Sequence, residues 1–103
     1  MANAVTLQKQ PWEKLPVYVD FSENMEDDES INVGLSSVVA YDSNDEDVSD
    51  TLLKDDSIAV VDTTKLQITV IAGTDGSKYV LSFRAYVSEN KWLEEDVKLK
   101  VKD

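Results

Sequence analysis

The chain has 103 residues, of which 42% are hydrophobic and 30% charged, and its formal net charge is −11. This length fits one domain with one modest core. The sequence holds neither cysteine nor histidine, which excludes disulfide frameworks, zinc and iron–sulfur sites, thiol nucleophiles and imidazole acid–base catalysis. The acidic balance argues against binding to nucleic acid or anionic membranes. No apolar run approaches the roughly 20 residues of a membrane helix.

The first fourteen residues show no sustained period, and Pro11 and Pro16 interrupt the start of the chain. Proline removes a backbone donor and biases the preceding residue toward extended geometry. We therefore predict an extended arm over residues 1–14, dispensable for folding, and a β-sandwich over residues 15–103. Because the start lacks both a basic segment and an apolar stretch, we expect no signal peptide and synthesis in the cytoplasm.

Strict alternation of apolar and polar residues, typical of half-buried strands, follows the arm. A slip in phase near residues 34–37 indicates a bulge, and turn residues occupy 73–76 and 88–91. No apolar stripe is long enough to predict a helix. The strands are predicted over residues 17–22, 31–39 with the bulge inside it, 48–53, 57–61, 65–72, 79–87 and 97–101.

About seven short strands separated by turns predict an all-β, antiparallel sandwich of the immunoglobulin-like type. Tyr79 begins the penultimate strand directly after a tight turn, the place of the tyrosine corner in such sandwiches. Two residues later, where a cysteine is common, the chain has Leu81, and no tryptophan lies on the third predicted strand. We predict that Tyr79 is a structural corner residue of a disulfide-free domain.

Three stretches in this order and spacing resemble small proteins of tailed phages and prophages. They are KQP at 9–11 leading to VDFS at 19–22, ESI at 29–31 leading to AYDS at 40–43, and GTDGSKY at 73–79. Those proteins are virion structural proteins or adaptors between fibre and tail, and the resemblance runs from about Lys9 to Val101. One departure is the acidic run at 26–29, where the family pattern has a turn with glycine.

The resemblance implies an immunoglobulin-like fold without enzymatic activity and a structural role in the neck, tail or fibre adaptor of a virion. It implies partners among other virion proteins or further copies of the chain, synthesis in the bacterial cytoplasm and final location in the virion. The family has no catalytic motif, so the resemblance assigns no site residues and no cofactor.

Partner binding is predicted for two tryptophans and for three lysines near the end of the chain: Trp12, Trp92, Lys98, Lys100 and Lys102. Tryptophan is enriched in interface hot spots, although Trp12 can instead pack across the open end of the sandwich and Trp92 can cover the core. The lysines either guard a sheet edge against aggregation or face the acidic loops of a neighbouring copy in a head-to-tail contact.

Acidic residues are concentrated in residues 20–62, which hold fourteen Asp and Glu against a single Lys. We expect the dense segments 23–29 and 42–50 to form solvated loops, because like charges repel. Metal binding is the only site chemistry that the composition allows, and the candidate is calcium, with ligands Asp42, Asn44, Asp45 and Asp47. The EF-hand pattern fails, because its sixth position, normally glycine, is Asp47 and its twelfth, normally glutamate, is Leu53.

Two further functions stay open beside the structural one. A calcium-responsive binding module is the main alternative, and a shared site requires the two acidic segments to converge. A carbohydrate-binding module requires an aromatic platform, which Tyr18, Tyr86 and Trp92 provide only if they share one face. Glycosidase chemistry needs a carboxyl group with a raised pKa in a desolvated cleft, and nothing in the sequence indicates one, so we expect no enzyme.

Overall fold

Alternating apolar side chains build two packed sheets, which a computed structural model describes over residues 5–102, with side chains from residue 7 onward. Within these residues a series of strands is interrupted by one short α-helix, α1 (Ser49–Leu52), and by two 3-10 turns, Ser22–Asn24 and Val33–Leu35. The strands are β1 (Val5–Lys9), β2 (Leu15–Asp20), β3 (Ser37–Tyr41), β4 (Ala59–Val61), β5 (Lys65–Val70), β6 (Lys78–Ser88) and β7 (Lys91–Val101).

The sheets have the strand orders β1-β7-β6-β3 and β2-β5-β4. Every pair of neighbours is antiparallel except β1 and β7, which run parallel. This arrangement is that of an immunoglobulin-like sandwich, so the predicted fold class is confirmed. No helix in the described chain is long and apolar enough to cross a membrane.

The core lies between the inner faces of the two sheets. Each strand contributes alternate residues, because successive side chains of a strand point to opposite faces. The strands of the four-stranded sheet bury Ala40, Leu81, Phe83, Ala85, Val97, Leu99 and Val101, and those of the three-stranded sheet bury Val17, Val19, Leu66, Ile68 and Val70.

The predicted N-terminal arm is wrong for residues 5–9, which form β1 inside the four-stranded sheet. Val5 to Lys9 pair in parallel with Val97 to Val101. Lys9 occupies the inward position opposite Val101 and is buried. Lys9 is a charged residue at an inward position, so it interrupts the alternation of apolar and polar residues by which this strand would have been predicted. The part of the predicted arm before residue 5 lies outside the described residues.

Three local predictions are also wrong. Residues 33–35 form a 3-10 turn, closed by the Asn32 side chain, which accepts a hydrogen bond from the Gly34 amide. Residues 49–52 form α1 where a strand was expected. The register irregularity lies between Tyr86 and Ser88 of β6 and not near residue 34.

The loops gather at two ends of the sandwich, which measures 42 × 26 × 20 Å. We call one the hairpin end; it holds the β6–β7 hairpin and the β2–β3 connection, joined where Lys91 Nζ contacts a Glu29 carboxylate oxygen at 2.8 Å. We call the other the corner end; it holds the β1–β2 turn, the β5–β6 turn and the start of the β3–β4 connection. The eleven residues of β6 run between them, a length of about 33 Å.

Candidate functional site

The tyrosine corner is present at the corner end. Tyr79 Oη accepts a hydrogen bond from the Thr74 amide at 3.1 Å. Burial disfavours ionisation of Tyr79, but hydrogen bonds from Thr74 and Ser77 outweigh it and place its pKa below the ordinary value. Gly73 packs so closely on β7 that an added Cβ would come within 2.7 Å of Val101 Cγ2. These contacts hold the β5–β6 turn against the sandwich, so Tyr79 has a structural place.

The β1–β2 turn holds Trp12 at the same end. The Glu13 amide donates to the Gln10 carbonyl at 3.1 Å, and a Glu13 carboxylate oxygen accepts from the Gln10 amide at 2.6 Å. Pro11 occupies the second position of this turn, where its fixed φ is already suitable. The turn is therefore closed by one backbone and one side-chain hydrogen bond.

Lys9 supports this turn from inside the sandwich. Its Nζ donates to the carbonyl oxygens of Gln10 at 2.8 Å and Pro11 at 3.3 Å, and the residue is only 1% exposed. Burial lowers the pKa of Lys9, while the charges of Glu13 and Tyr79 oppose that shift. The carbonyl groups replace part of the lost hydration of the ammonium group, so the buried charge fixes the backbone that carries Trp12.

Trp12 itself is 94% exposed at the tip of the turn. The expectation that it packs back across the open end of the sandwich is wrong, because the turn directs it away from the core. A buried tryptophan removes about 150–250 Å² of surface from water. The backbone beneath this exposed ring is held by the hydrogen bonds of the turn.

Trp92 lies on the outer face of the four-stranded sheet and is 73% exposed, so its expected role as a cover for the core is wrong. It stands opposite Tyr86 in the β6–β7 register, with ring centroids 5.7 Å apart and planes inclined by 42°. With Leu35 these rings bound a shallow groove of about 630 Å³ at the hairpin end, which we call the aromatic groove.

A charged pair forms the far wall of the aromatic groove. Arg84 Nε donates to a Glu94 carboxylate oxygen at 2.9 Å, and Ser82 Oγ donates to the same oxygen at 2.9 Å. Hydrogen bonds from Arg84 and Ser82 lower the pKa of Glu94. Both charged side chains are half exposed, so the pair contributes little stability; it forms the polar border of the groove.

Lys98 and Lys100 lie on the outer face of β7 toward the corner end, and Lys102 follows the strand. Lys100 stands directly opposite Lys78 of β6, a like-charge pairing that is unfavourable in a sheet. None of these four lysines forms an ion pair with another described residue. The edge-guarding interpretation is wrong for Lys98 and Lys100, because β1 and β6 cover β7 on both sides there.

Two of the four candidate calcium ligands, Asp42 and Asp47, accept hydrogen bonds from their own loop. An Asp42 carboxylate oxygen accepts from the amides of Asn44 and Glu46 at 2.8 and 3.0 Å. An Asp47 oxygen accepts from the hydroxyl and amide of Ser49, which lower the pKa of Asp47. Over the described residues no group of three or more acidic side chains is placed to hold a metal ion.

The two acidic segments do not converge, contrary to what a shared calcium site requires. Segment 23–29 belongs to the hairpin end, where Glu29 contacts Lys91. Segment 42–50 begins at the corner end, where Asp42 lines a cleft with Thr74 and Tyr79. The length of β6 therefore separates them.

The three aromatic residues considered for a carbohydrate platform do not share a face. Tyr86 and Trp92 lie on the four-stranded sheet, whereas Tyr18 lies on β2 of the other sheet, with Lys65 Nζ 5.5 Å from its ring centroid. The structure thus brings together Trp92, Tyr86 and Leu35 and leaves Trp12 at the opposite end.

The sequence pattern does not reveal Lys9, because the role of this residue depends on the inward position that β1 gives it. The turn after it carried a readable signal, since proline at the second position and glutamate three residues after Gln10 both favour a closed turn. Leu35 was also missed, because its segment was assigned to a strand.

Comparison of the chain with models of known protein families gives no match. Comparison with curated protein sequences gives no match either.

Proposed function

We propose that this protein is a non-enzymatic protein–protein interaction module that serves as a structural component of a tailed-phage or prophage virion, in the neck, tail or fibre adaptor. It is synthesised in the bacterial cytoplasm and becomes part of the particle. The observation that carries the interaction role is Trp12, 94% exposed on a turn held by the buried ammonium of Lys9.

Exposure of Trp12 is unfavourable for the isolated chain, since a large apolar ring stays in water. The turn nevertheless limits the conformations of the backbone beneath the ring, which lowers the entropy lost when a partner buries it. The aromatic groove adds a second exposed apolar surface at the other end of the molecule. Two such surfaces fit a component that joins neighbours.

The assignment to a virion rests on the sequence resemblance from Lys9 to Val101. The calcium-responsive alternative gains no support from a specific contact, because the carboxylates of Asp42 and Asp47 accept hydrogen bonds from their own loop. We therefore put forward no second function.

Purified particles test the virion role. Phage induced from the source strain is separated on a density gradient, and the protein is quantified by mass spectrometry against the major capsid protein. We expect a fixed stoichiometry across preparations. Absence from intact particles would overturn the virion assignment.

A matched pair of variants tests the role of Trp12. A phage lacking the gene is complemented with Trp12→Ala or, as a control, with Tyr18→Ala. The control removes an exposed aromatic ring from the outer face of the three-stranded sheet. We expect Trp12→Ala to lower incorporation at least tenfold and Tyr18→Ala to leave it unchanged. Equal incorporation of both variants would show that Trp12 is not the contact residue.

A further inference from the structure

We propose that two copies of this protein exchange β1, so that Val5–Lys9 of each copy pairs with β7 of the other. The hinge of this exchange is residues 10–14, which connect β1 to β2. The inference rests on the proposed function in one respect, because it names a second copy of the chain as the partner that covers Trp12. An exchanged strand needs no new binding site, since it takes the place that the same strand has in the isolated chain.

β1 is attached to the fold along one side only. It is a terminal strand and pairs with β7 alone among the described strands, in a parallel ladder. Parallel pairing is slightly less stable per residue than antiparallel pairing. Of its described side chains, Lys9 is buried and Leu7 packs partly against the core. A strand with one neighbour and few core contacts can leave its sheet while the rest of the fold stays intact.

The hinge is short and contains a proline. Pro11 lies within it, and Pro16 follows it at the start of β2. Each proline biases the residue before it, Gln10 or Leu15, toward extended backbone. When opened, residues 10–14 span at most about 17 Å, enough to carry β1 to an adjacent molecule. Short connections of this kind favour exchange, because they are harder to close within one chain than to extend between two.

Exchange restores most of the contacts that it breaks. The β1–β7 ladder forms again between the two chains, with Lys9 at its inward place opposite Val101. The closed turn is lost, with the hydrogen bonds between Gln10 and Glu13 and the one from Lys9 Nζ to the Pro11 carbonyl. A new contact between the two hinges has to outweigh these few hydrogen bonds.

Trp12 supplies that contact. It is the middle residue of the hinge and is 94% exposed in the isolated chain. Mutual exchange of a strand gives a dimer with two-fold symmetry, and two hinges that cross antiparallel bring their middle residues nearest to the axis. The two indole rings therefore meet and cover each other from water. The position of Trp12 in the hinge thus commits its ring to the same ring of a second copy.

The hinge itself carries a balanced charge, with Glu13 beside Lys14. The acidic segment 42–50 begins at the same end of the molecule, and the net charge of −11 opposes the approach of two copies. At physiological ionic strength the Debye length is about 8 Å, so this repulsion is short-ranged. The full chain is therefore refolded from urea at that ionic strength over a concentration series, and sedimentation velocity measures its dimer fraction.

Paired cysteines report which chain supplies β1, because the chain has no cysteine of its own. Gln8 and Lys100 are exposed and stand opposite each other in the β1–β7 register. Gln8→Cys with Lys100→Cys should form its disulfide within one chain in the monomer fraction and between two chains in the dimer fraction. Non-reducing denaturing electrophoresis separates the two products, and peptide mapping identifies the joined residues.

The control pair is Val80→Cys with Lys98→Cys. These residues stand opposite each other in the β6–β7 hairpin, which stays within one chain in either form. The control should therefore give a covalent monomer from both fractions. A control that cross-links between chains in the dimer fraction would place the exchange at β7 and would overturn the role of β1.

We expect wild type to form a dimer with rising concentration and Trp12→Ala to lower the association constant at least tenfold. Tyr18→Ala, which removes an exposed ring from the other sheet, should associate as wild type does. A wild type that stays monomeric, or a dimer whose 8–100 disulfide lies within one chain, overturns the exchange. If Trp12→Ala then still lowers incorporation into particles, the proposed function stands with a different partner.

Discussion

Lys9 shows at the scale of a single residue how a charge occupies an inward strand position. Its aliphatic stem lies opposite Val101, while its ammonium group reaches two carbonyl oxygens of the following turn. Long basic side chains commonly bury the aliphatic stem against apolar neighbours and place the charged group in a polar environment. The residue thereby links β1 to the turn that carries Trp12.

Replacing Lys9 by alanine should lower the free energy of unfolding by about 2–4 kcal/mol, because it removes both the buried stem and the charge-assisted hydrogen bonds. Lys9→Met keeps the stem and should recover part of that loss. Urea denaturation measures both variants, with the exposed Lys14→Ala as control. A Lys9→Ala variant as stable as the control would contradict the supporting role of Lys9.

Tyr79 gives a second prediction at this scale. Tyr79→Phe removes the hydroxyl that accepts from the Thr74 amide and keeps the ring, so we expect a loss of about 1 kcal/mol. Tyr18→Phe, on the outer face of the other sheet, should change stability by less than about 0.5 kcal/mol. Equal unfolding midpoints in urea for the two variants would show that the corner hydrogen bond contributes no net stability.

At the scale of elements, strands with unbroken alternation could be predicted from the sequence. Residues 65–70 and 78–88 form β5 and β6 as their apolar periodicity indicates. β1 escaped prediction because Lys9 takes a place where the pattern requires an apolar residue. α1 escaped because Leu52 and Leu53 are both buried, and two adjacent apolar residues do not distinguish a helical turn from a strand.

The contact between Glu29 and Lys91 joins two elements that are distant in the sequence. The Glu29 carboxylate oxygen accepts from the Glu26 amide at 2.7 Å and from Lys91 Nζ at 2.8 Å. The Glu26 amide, with Lys91 beside it, lowers the pKa of Glu29 from 4.5. No periodicity predicts this contact, because it depends on how the β2–β3 connection folds over the β6–β7 hairpin.

The lowered pKa of Glu29 fixes the sign of its pH dependence. Glu29 binds a proton more readily in the unfolded chain than in the folded one. Its contribution to stability is therefore complete above pH 4.5, the ordinary pKa, and is lost as the pH falls through the lower pKa of the folded chain. Glu29→Gln should therefore make the fall in urea midpoint between about pH 6 and pH 3 shallower. Glu23→Gln, exposed on the same connection, is the control; an unchanged slope in Glu29→Gln would contradict the prediction.

At the scale of the whole molecule, the sequence places fourteen of the 21 acidic residues between residues 20 and 62, but the fold divides the two dense acidic segments between two ends. Glu29 lies by the β6–β7 hairpin, whereas Asp42 lies by the tyrosine corner. The sequence could not show this division, because it depends on which loops the strand order brings together. The same order places Trp12 and Trp92 at opposite ends, which is what makes a two-sided connector possible.

The charge distribution leads to a prediction about salt. The folded chain holds a net charge of −11 in a small volume, so repulsion within it exceeds that in the expanded unfolded chain. Raising NaCl from about 0.01 to 0.15 M shortens the Debye length from about 30 to 8 Å. We expect the free energy of unfolding, measured with the uncharged denaturant urea, to be about 1 kcal/mol higher at the higher salt. Several like-charge pairs are then screened, and each loses a few tenths of a kcal/mol of repulsion.

Two variants test whether like-charge repulsion causes this dependence. Replacing Asp27 and Asp28 by asparagine should flatten the dependence on salt, because it removes two neighbouring negative charges from the exposed β2–β3 connection. Lys54→Gln removes the single base from residues 20–62 and should steepen it. If stability fell with added salt, the Glu29–Lys91 and Arg84–Glu94 contacts would outweigh the repulsion, and the acidic segments would have to be less crowded in solution than their sequence implies.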